Sequence, residues 1–195
     1  MRLVWPNMNT LWKTLIFVCL AAVLAGCTTT QRGVDSRFAE ALTAAYTLDS
    51  GDQLRVIVFG QANLTNNYTV DDSGLISMPL IGPVHARGRT IHEVEGNVRS
   101  QLASRYLRDP KVTIEVETYR PFFVLGEVNN AGQFPYVRGM TGRTAAAVAG
   151  GFSPRARQNT MLVTRMIDGT LMTSEVPINH PVLPGDTVTI EERWF

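Results

Sequence analysis

The chain has 195 residues, with 18 basic and 17 acidic side chains and a formal net charge of +1 at pH 7. This balance lacks the basic excess that nucleic-acid-binding surfaces carry, so we expect no nucleic-acid partner. The two cysteines and three histidines are too few and too scattered to predict a metal centre.

The N-terminus is typical of a bacterial lipoprotein signal. Residues 15–25 are almost all apolar and follow a basic stretch without acids, but the run is shorter than the ~20 residues of a spanning helix. Leu24-Ala25-Gly26-Cys27 closes it and resembles the lipobox, in which the thiol receives a diacylglyceryl group. We therefore expect a signal peptide over residues 1–26, cleavage between Gly26 and Cys27, and lipid attachment at Cys27. The alternative is a plain signal peptide with a chance cysteine.

Residues 27–45 are predicted to be a tether between the lipid and the first domain, because they are mainly small and polar. A short amphipathic turn around Phe38–Leu42 is expected to lie against that first domain. Cys19 leaves with the signal peptide and Cys27 carries lipid, so no disulfide is expected within the mature chain.

Residues 46–118 are predicted to form the first α+β domain. A turn at residues 49–52 precedes an alternating strand over residues 54–58, and residues 112–117 alternate most clearly. Residues 75–76 and 79–82 are expected to be short strands. Between these strands and the last one, residues 90–107 predict a helix.

The sequence of this helix predicts both how it begins and which face is buried. Thr90 and Glu93 match a capping box, and apolar residues then recur at spacings of three and four. Asp109-Pro110 is expected to end the helix, because a residue before proline disfavours helical angles.

Residues 119–195 are predicted to form a second domain. We expect a buried strand at residues 122–125, a turn at 129–132, a helix at 144–149 ended by Gly150-Gly151, and a helical turn at 153–154. Asp168-Gly169 predicts a hairpin between strands at residues 161–167 and 170–176, and residues 187–191 form the last strand.

No motif in the sequence indicates catalysis. The nucleophile elbow, P-loop, zinc-protease and dinucleotide-binding patterns are absent. Asp71-Asp72 precedes Ser73-Gly74 and is read as part of a turn, although paired carboxylates could also serve acid–base chemistry. We therefore predict that the protein is not an enzyme, has no catalytic or metal-ligating residues and needs no cofactor. Its ligand-binding residues stay unassigned.

One sequence pattern occurs once in each predicted domain. Residues 51–56 and 185–190 share the order Gly-Asp-x-apolar-x-apolar. Such turn-to-strand patterns arise often by chance, so we do not infer a duplicated domain.

The order of these motifs resembles a known family. Residues 46–56, 70–82 (Val-Asp-x-x-Gly through Pro-Leu-Ile-Gly) and 109–114 are similar to the N-terminal domain of outer-membrane polysaccharide export lipoproteins. Residues 124–134, 149–152 and 184–186 resemble the soluble-ligand-binding β-grasp (SLBB) domain that follows it. The expected fold is therefore α+β, with two small mixed-sheet domains, the second β-grasp-like, after a lipoprotein signal peptide.

The resemblance implies a role in exporting capsular polysaccharide or exopolysaccharide. Family members form a homo-oligomeric ring under the outer membrane and conduct polymer from an inner-membrane polysaccharide copolymerase. Longer members add a C-terminal helix that lines the outer-membrane pore, whereas only residues 193–195 follow the last strand here. A separate outer-membrane pore protein is therefore an expected partner.

The expected location is the outer membrane, with the protein lipid-anchored and facing the periplasm. Thr28 follows the lipidated cysteine, where an aspartate would indicate inner-membrane retention. The alternative function is a periplasmic lipoprotein that binds a small soluble ligand through its β-grasp domain without transport.

Overall fold

The computed structural model of the protein describes residues 36–194. The helices are α1 (Ser36–Thr43), α2 (Ile91–Arg105) and α3 (Gly142–Val148). The strands are β1 (Gln53–Val58), β2 (Asn66–Thr69), β3 (Leu75–Met78), β4 (Gly82–His85), β5 (Val112–Thr118), β6 (Phe122–Gly126), β7 (Gly132–Phe134), β8 (Thr160–Ile167), β9 (Thr170–Pro177) and β10 (Thr187–Ile190). The predicted signal peptide and lipid site, including Gly26 and Cys27, lie outside the described residues.

The first sheet has three antiparallel strands in the order β2-β1-β5. In β1 the side chains of Leu54, Val56 and Val58 are buried, as the alternating sequence predicts. The sequence did not predict β2, because two asparagines begin it and no apolar alternation marks it, and it did not predict the three-residue β7 either.

Helix α2 packs against β5 and β4. It buries Val94, Val98 and Leu102, which confirms the predicted apolar face. Both halves of the capping box are present, since the Thr90 side chain accepts from the Glu93 amide and the Glu93 carboxylate accepts from the Thr90 amide. The helix therefore begins where the sequence predicts.

A separate two-stranded hairpin, β3–β4, follows the predicted turn at Asp71. The Asp71 carboxylate accepts hydrogen bonds from the amides of Ser73 and Leu75, so the turn interpretation is confirmed. The expected strand at residues 79–82 is wrong. Residues 79–81 form the hairpin turn, in which Leu80 has a φ of 72°, and β4 begins only at Gly82.

The second sheet has five strands in the order β7-β6-β10-β8-β9. β10 pairs parallel with β6, and the other pairs are antiparallel, so parallel pairing occurs in this sheet only. Although we expected mixed sheets in both domains, the first domain's described sheets are wholly antiparallel. The predicted hairpin is confirmed, since Asp168 and Gly169 join β8 to β9 with φ values of 50° and 74°.

Three features of the second half of the described chain differ from the expectation or refine it. Strand β6 is only half buried, because Phe123 and Leu125 are 40% and 46% exposed on its outer face. Helix α3 begins at Thr141, whose side chain caps it, and ends before Gly150 and Gly151. The expected helical turn at residues 153–154 is an ordinary turn instead.

Buried side chains form two clusters, one for each half of the described chain. The first lies among β1–β5 and α2, and the second among β6–β10 and α3. Phe38 of α1 is fully buried in the second cluster, so the expectation that this segment lies against the first domain is wrong. The Phe38 ring is held in this cluster by a contact with the buried guanidinium group of Arg165.

These helices and separate sheets confirm the predicted α+β class. The domain bounds at residues 46–118 and 119–195, and the β-grasp assignment of the second, stay predictions. Among residues 36–194, no helix has the length and apolarity needed to cross a bilayer.

Candidate functional site

The two Gly-Asp patterns fold into closely similar turns. Gly51 and Gly185 have φ values of 89° and 84°. The aspartates after them, Asp52 and Asp186, are 0% and 1% exposed. Each carboxylate accepts the backbone N–H of the residue three positions earlier, at 2.9 Å and 2.7 Å, and each binds an arginine. The sequence pattern therefore marks a shared turn geometry.

Arg120, in the segment between β5 and β6, lies between these two turns. Its backbone N–H donates to Asp52 Oδ1 at 2.8 Å, and its Nη1 donates to Asp52 Oδ2 at 3.3 Å. The same Nη1 donates to the Tyr46 hydroxyl at 2.9 Å. The φ of 84° at Gly185 favours glycine, and a Cβ there would also lie 2.7 Å from Arg120 Nε, so a larger residue would displace this arginine's side chain. One side chain thus connects the two halves of the described chain.

Asp186 holds a second arginine in the core. Arg165 Nε and Nη2 donate to its two carboxylate oxygens at 2.9 Å and 2.7 Å, and both side chains are at most 5% exposed. The guanidinium carbon lies 5.1 Å from the centre of the Phe38 ring, a cation–π contact. This contact anchors α1 on the second half of the chain.

Two buried nitrogen atoms beside this pair have no hydrogen-bond partner among the described residues: Arg165 Nη1 and His180 Nε2. Burial lowers the pKa of His180, and the positive charge of Arg165 lowers it further, whereas Asp186 opposes the shift. The histidine is therefore held neutral beside the buried ion pair.

Three tyrosine rings pack in a row that begins at Tyr46, next to Arg120. Tyr46 meets Tyr119 edge to face at 5.1 Å, and Tyr119 meets Tyr136 at 5.6 Å. Burial is the main cause of a raised pKa at Tyr46, against the opposing effect of Arg120. Its phenol therefore stays protonated and donates to Asp52 at 2.7 Å.

A cleft of about 680 Å³ opens beside these contacts. Helix α1 and the residues after it form one wall, and the end of the β8–β9 hairpin with the second Gly-Asp turn forms the other. Its lining comprises Arg37, Glu40, Ala41, Leu42, Ala44–Thr47, Asp49, Arg120, Thr164–Asp168, Leu171 and Leu183–Thr187.

The arrangement offers binding groups and no recognisable catalytic set. Within residues 36–194, no group of three or more His, Cys, Asp or Glu side chains is placed to hold a metal ion. The Glu127 carboxylate accepts a hydrogen bond from the Ser153 hydroxyl. The absence of catalytic and metal residues therefore stays a prediction.

The sequence did not single out Arg120, Arg165 or Tyr46 as site residues. The only available signal was the repeated Gly-Asp pattern, whose aspartates proved to be the acceptors for both arginines. The arginines themselves follow no repeated spacing.

Comparison with known proteins shows which family part of this chain resembles. Residues 40–117 match the family model described as polysaccharide biosynthesis/export protein. The chain is 34% identical over 90 residues to the exopolysaccharide production protein ExoF of Rhizobium meliloti (strain 1021), covering 45% of this chain and 21% of that protein. It is 34% identical over 89 residues to the EPS I polysaccharide export outer membrane protein EpsA of Ralstonia nicotianae (strain ATCC BAA-1114 / GMI1000), covering 45% and 23%.

The aligned segment thus takes in less than a quarter of either relative. The match to the family model, over residues 40–117, begins within α1 and ends in β5, so it includes the first Gly-Asp turn and stops before Arg120. This match confirms the resemblance to the polysaccharide export family over residues 40–117, whereas the resemblance of the second domain to the SLBB domain stays a prediction.

Proposed function

We propose that the protein is a cell-envelope component of a machine that exports capsular polysaccharide or exopolysaccharide. The observation that carries this proposal is the family match over residues 40–117, together with two relatives whose names specify exopolysaccharide production and export. The protein passes polymer without cutting it, so it is not an enzyme.

The proposed working form is a ring of identical copies that encloses the path of the polymer. Free sheet edges support this form, because β5 and β9 each pair on one side only within the described sheets. Exposed edge strands tend to recruit further strands, and a head-to-tail contact that closes would cover each edge with a neighbouring copy. Cross-linking in intact membranes should give a ladder of oligomers, and recovery of monomers alone would refute the ring.

The proposed anchor is a lipid on Cys27, holding the protein at the outer membrane with its domains in the periplasm. Several acyl chains bind a membrane stably, whereas a single chain binds marginally. A Cys27→Ser variant should therefore appear in the soluble periplasmic fraction. Wild-type yield of this variant in the outer-membrane fraction would place the anchor elsewhere.

The proposed partners are an inner-membrane polysaccharide copolymerase and a separate outer-membrane pore protein, with polysaccharide as cargo. In planar bilayers the purified protein alone should give no large, stable conductance. Steady channels from this protein alone would show that it needs no separate pore.

A pulse-chase experiment with labelled sugar tests the export role. A deletion strain should still incorporate label into lipid-linked repeat units but should carry little labelled polymer on its surface. Complementation with the wild-type gene should restore the surface polymer. Unchanged surface polymer in the deletion strain would instead favour the second candidate, a ligand-binding lipoprotein that transports nothing, which the 680 Å³ cleft supports.

A further inference from the structure

The cleft beside Arg120 combines groups that the fold itself does not use. The side chains of Glu40, Asp168 and Thr187 line it and have no hydrogen-bond or ion-pair partner among the described residues. Arg120 is 22% exposed and makes its hydrogen bonds through the backbone N–H and Nη1. Its Nη2 also lies 4.0 Å from Asp49 Oδ2, an ion pair without a hydrogen bond, so Nε and Nη2 still have N–H groups to donate.

The charges of the lining nearly cancel. Three arginines face four carboxylates: Arg37, Arg120 and Arg165, and Glu40, Asp49, Asp168 and Asp186. Arg165 and Asp186 already neutralise each other in the core. A cleft with both donors and acceptors and little net charge does not select a small anion or a metal cation. It suits a neutral ligand that donates and accepts many hydrogen bonds.

Apolar surface lies beside these polar groups. Met166 and Leu171 are cross-strand partners and are 58% and 65% exposed. Ala41 and Ala44 line the opposite wall. A sugar ring presents hydroxyl groups around its edge and C–H groups on its faces, so this mixture of polar and apolar surface matches a saccharide.

We propose that this cleft is a saccharide-binding site for a short stretch of carbohydrate chain. Its volume of about 680 Å³ falls in the range of small-molecule sites, roughly 300–1,000 Å³. Arg120 and Thr187 donate to sugar hydroxyls, and Asp168 and Glu40 accept from them. The inference rests on the proposed export function only in taking saccharide oligomers as the probes.

Saturation-transfer NMR on the full-length protein in lipid nanodiscs tests the site. The probes are maltotriose, cellotriose and a trisaccharide that carries one glucuronate. We expect binding of at least one probe, with transfer to its C–H protons.

A matched pair of variants locates this binding. Thr164 lines the cleft and Thr173 does not, yet their hydroxyl groups share one hydrogen bond of 2.8 Å. Thr164→Val and Thr173→Val therefore lose the same cross-strand bond, but only the first removes a cleft hydroxyl. Thr164→Val should weaken binding about fivefold, the effect of one neutral hydrogen bond, and Thr173→Val should leave it unchanged.

A second pair tests occupancy of the cleft directly. Ala44 and Ala103 are both exposed, but only Ala44 lines the cleft. Ala44→Trp should abolish binding by filling the space, whereas Ala103→Trp should bind as the wild type does. Absence of binding by all three probes, or equal binding by Ala44→Trp and Ala103→Trp, would overturn the proposal.

The outcome for the cleft is separable from that for export. A protein that binds the trisaccharide in a variant-sensitive way, but whose deletion leaves surface polymer intact, would refute export and leave the site standing. A deletion strain without surface polymer, combined with a protein that binds no probe, would overturn the site and leave export standing.

Discussion

The two buried aspartates allow one interaction to be compared in two environments. Asp52 and Asp186 occupy similar turns, and each pairs with an arginine. The arginines differ in access to water, because Arg120 is 22% exposed and Arg165 is 5% exposed. Substitution of each aspartate by asparagine removes the charge while nearly preserving the shape. We predict that Asp186→Asn destabilises the protein more than Asp52→Asn.

The hydrogen bonds that each aspartate accepts determine the expected loss in the free energy of unfolding. Asp52 accepts four hydrogen bonds, from the Tyr46 hydroxyl, the Asp49 amide, the Arg120 amide and Arg120 Nη1. An asparagine there turns its NH₂ toward at least one donor, which costs about 2 kcal/mol. Water partly screens the Arg120 charge that remains, so little is added to this cost.

At the second turn the uncompensated charge is buried. With asparagine at position 186, Arg165 would keep one amide oxygen and the Pro181 carbonyl, 3.2 Å from Nη2, as acceptors, but its buried charge would lose its carboxylate partner. Removal of one partner from a buried ion pair costs about 3–5 kcal/mol. The two variants should therefore differ by about 2 kcal/mol in the free energy of unfolding.

Urea unfolding of the purified protein in non-ionic detergent, followed by far-UV circular dichroism, measures this difference. Asp168→Asn is the matched control, because Asp168 is exposed and asparagine tolerates its φ of 50°. It should change the free energy of unfolding by less than about 0.5 kcal/mol. Equal losses at Asp52 and Asp186, or a larger loss at Asp52, would show that burial of the arginine does not determine the cost.

Three further predictions concern α1, α2 and the half-buried His180. Phe38→Ala should cost about 3–5 kcal/mol and should speed hydrogen exchange in α1, because a fully buried ring anchors that helix; unchanged exchange would contradict the anchoring role. Thr90→Ala should cost about 1 kcal/mol in urea unfolding, whereas Thr90→Ser should keep the cap and most of the stability; equal losses would rule out capping as the cause. Because the pKa of His180 is lowered in the folded state, the unfolded chain binds more protons below about pH 6.5, so stability should fall as the pH drops from there to the folded-state pKa. His180→Gln should lessen this fall in a urea series at several pH values, and an unaltered pH profile would show that His180 does not cause it.

Local patterns predicted most elements correctly. The capping box of α2 and the Asp168-Gly169 hairpin each depend on residues within a few positions of one another, so the sequence contains their full cause. The strand predicted at residues 79–82 is wrong because the cause of the actual conformation is not visible in the local sequence. Leu80 adopts a positive φ, a conformation that its residue type disfavours and that no local signal marks.

The candidate site was less predictable because its contacts join distant parts of the chain. Arg120 contacts Asp52 and Tyr46 across 68 and 74 positions. Phe38 packs over Arg165 in the other half of the chain, so its place depends on a tertiary contact. The repeated Gly-Asp pattern can be read from the sequence. The positions of Arg120 and Arg165 relative to the two turns depend on the tertiary fold and cannot be read from it.

Photo-cross-linking of polymer to this protein in secreting cells tests the export account most directly. Cells fed a diazirine-bearing sugar are irradiated during export, and the affinity-tagged full-length protein is purified under denaturing conditions. The account predicts polymer covalently attached to the protein, and loss of this adduct when polymerisation is blocked beforehand. Abundant photoreactive polymer at the cell surface with no adduct on the protein would contradict passage of the polymer through an assembly of this chain.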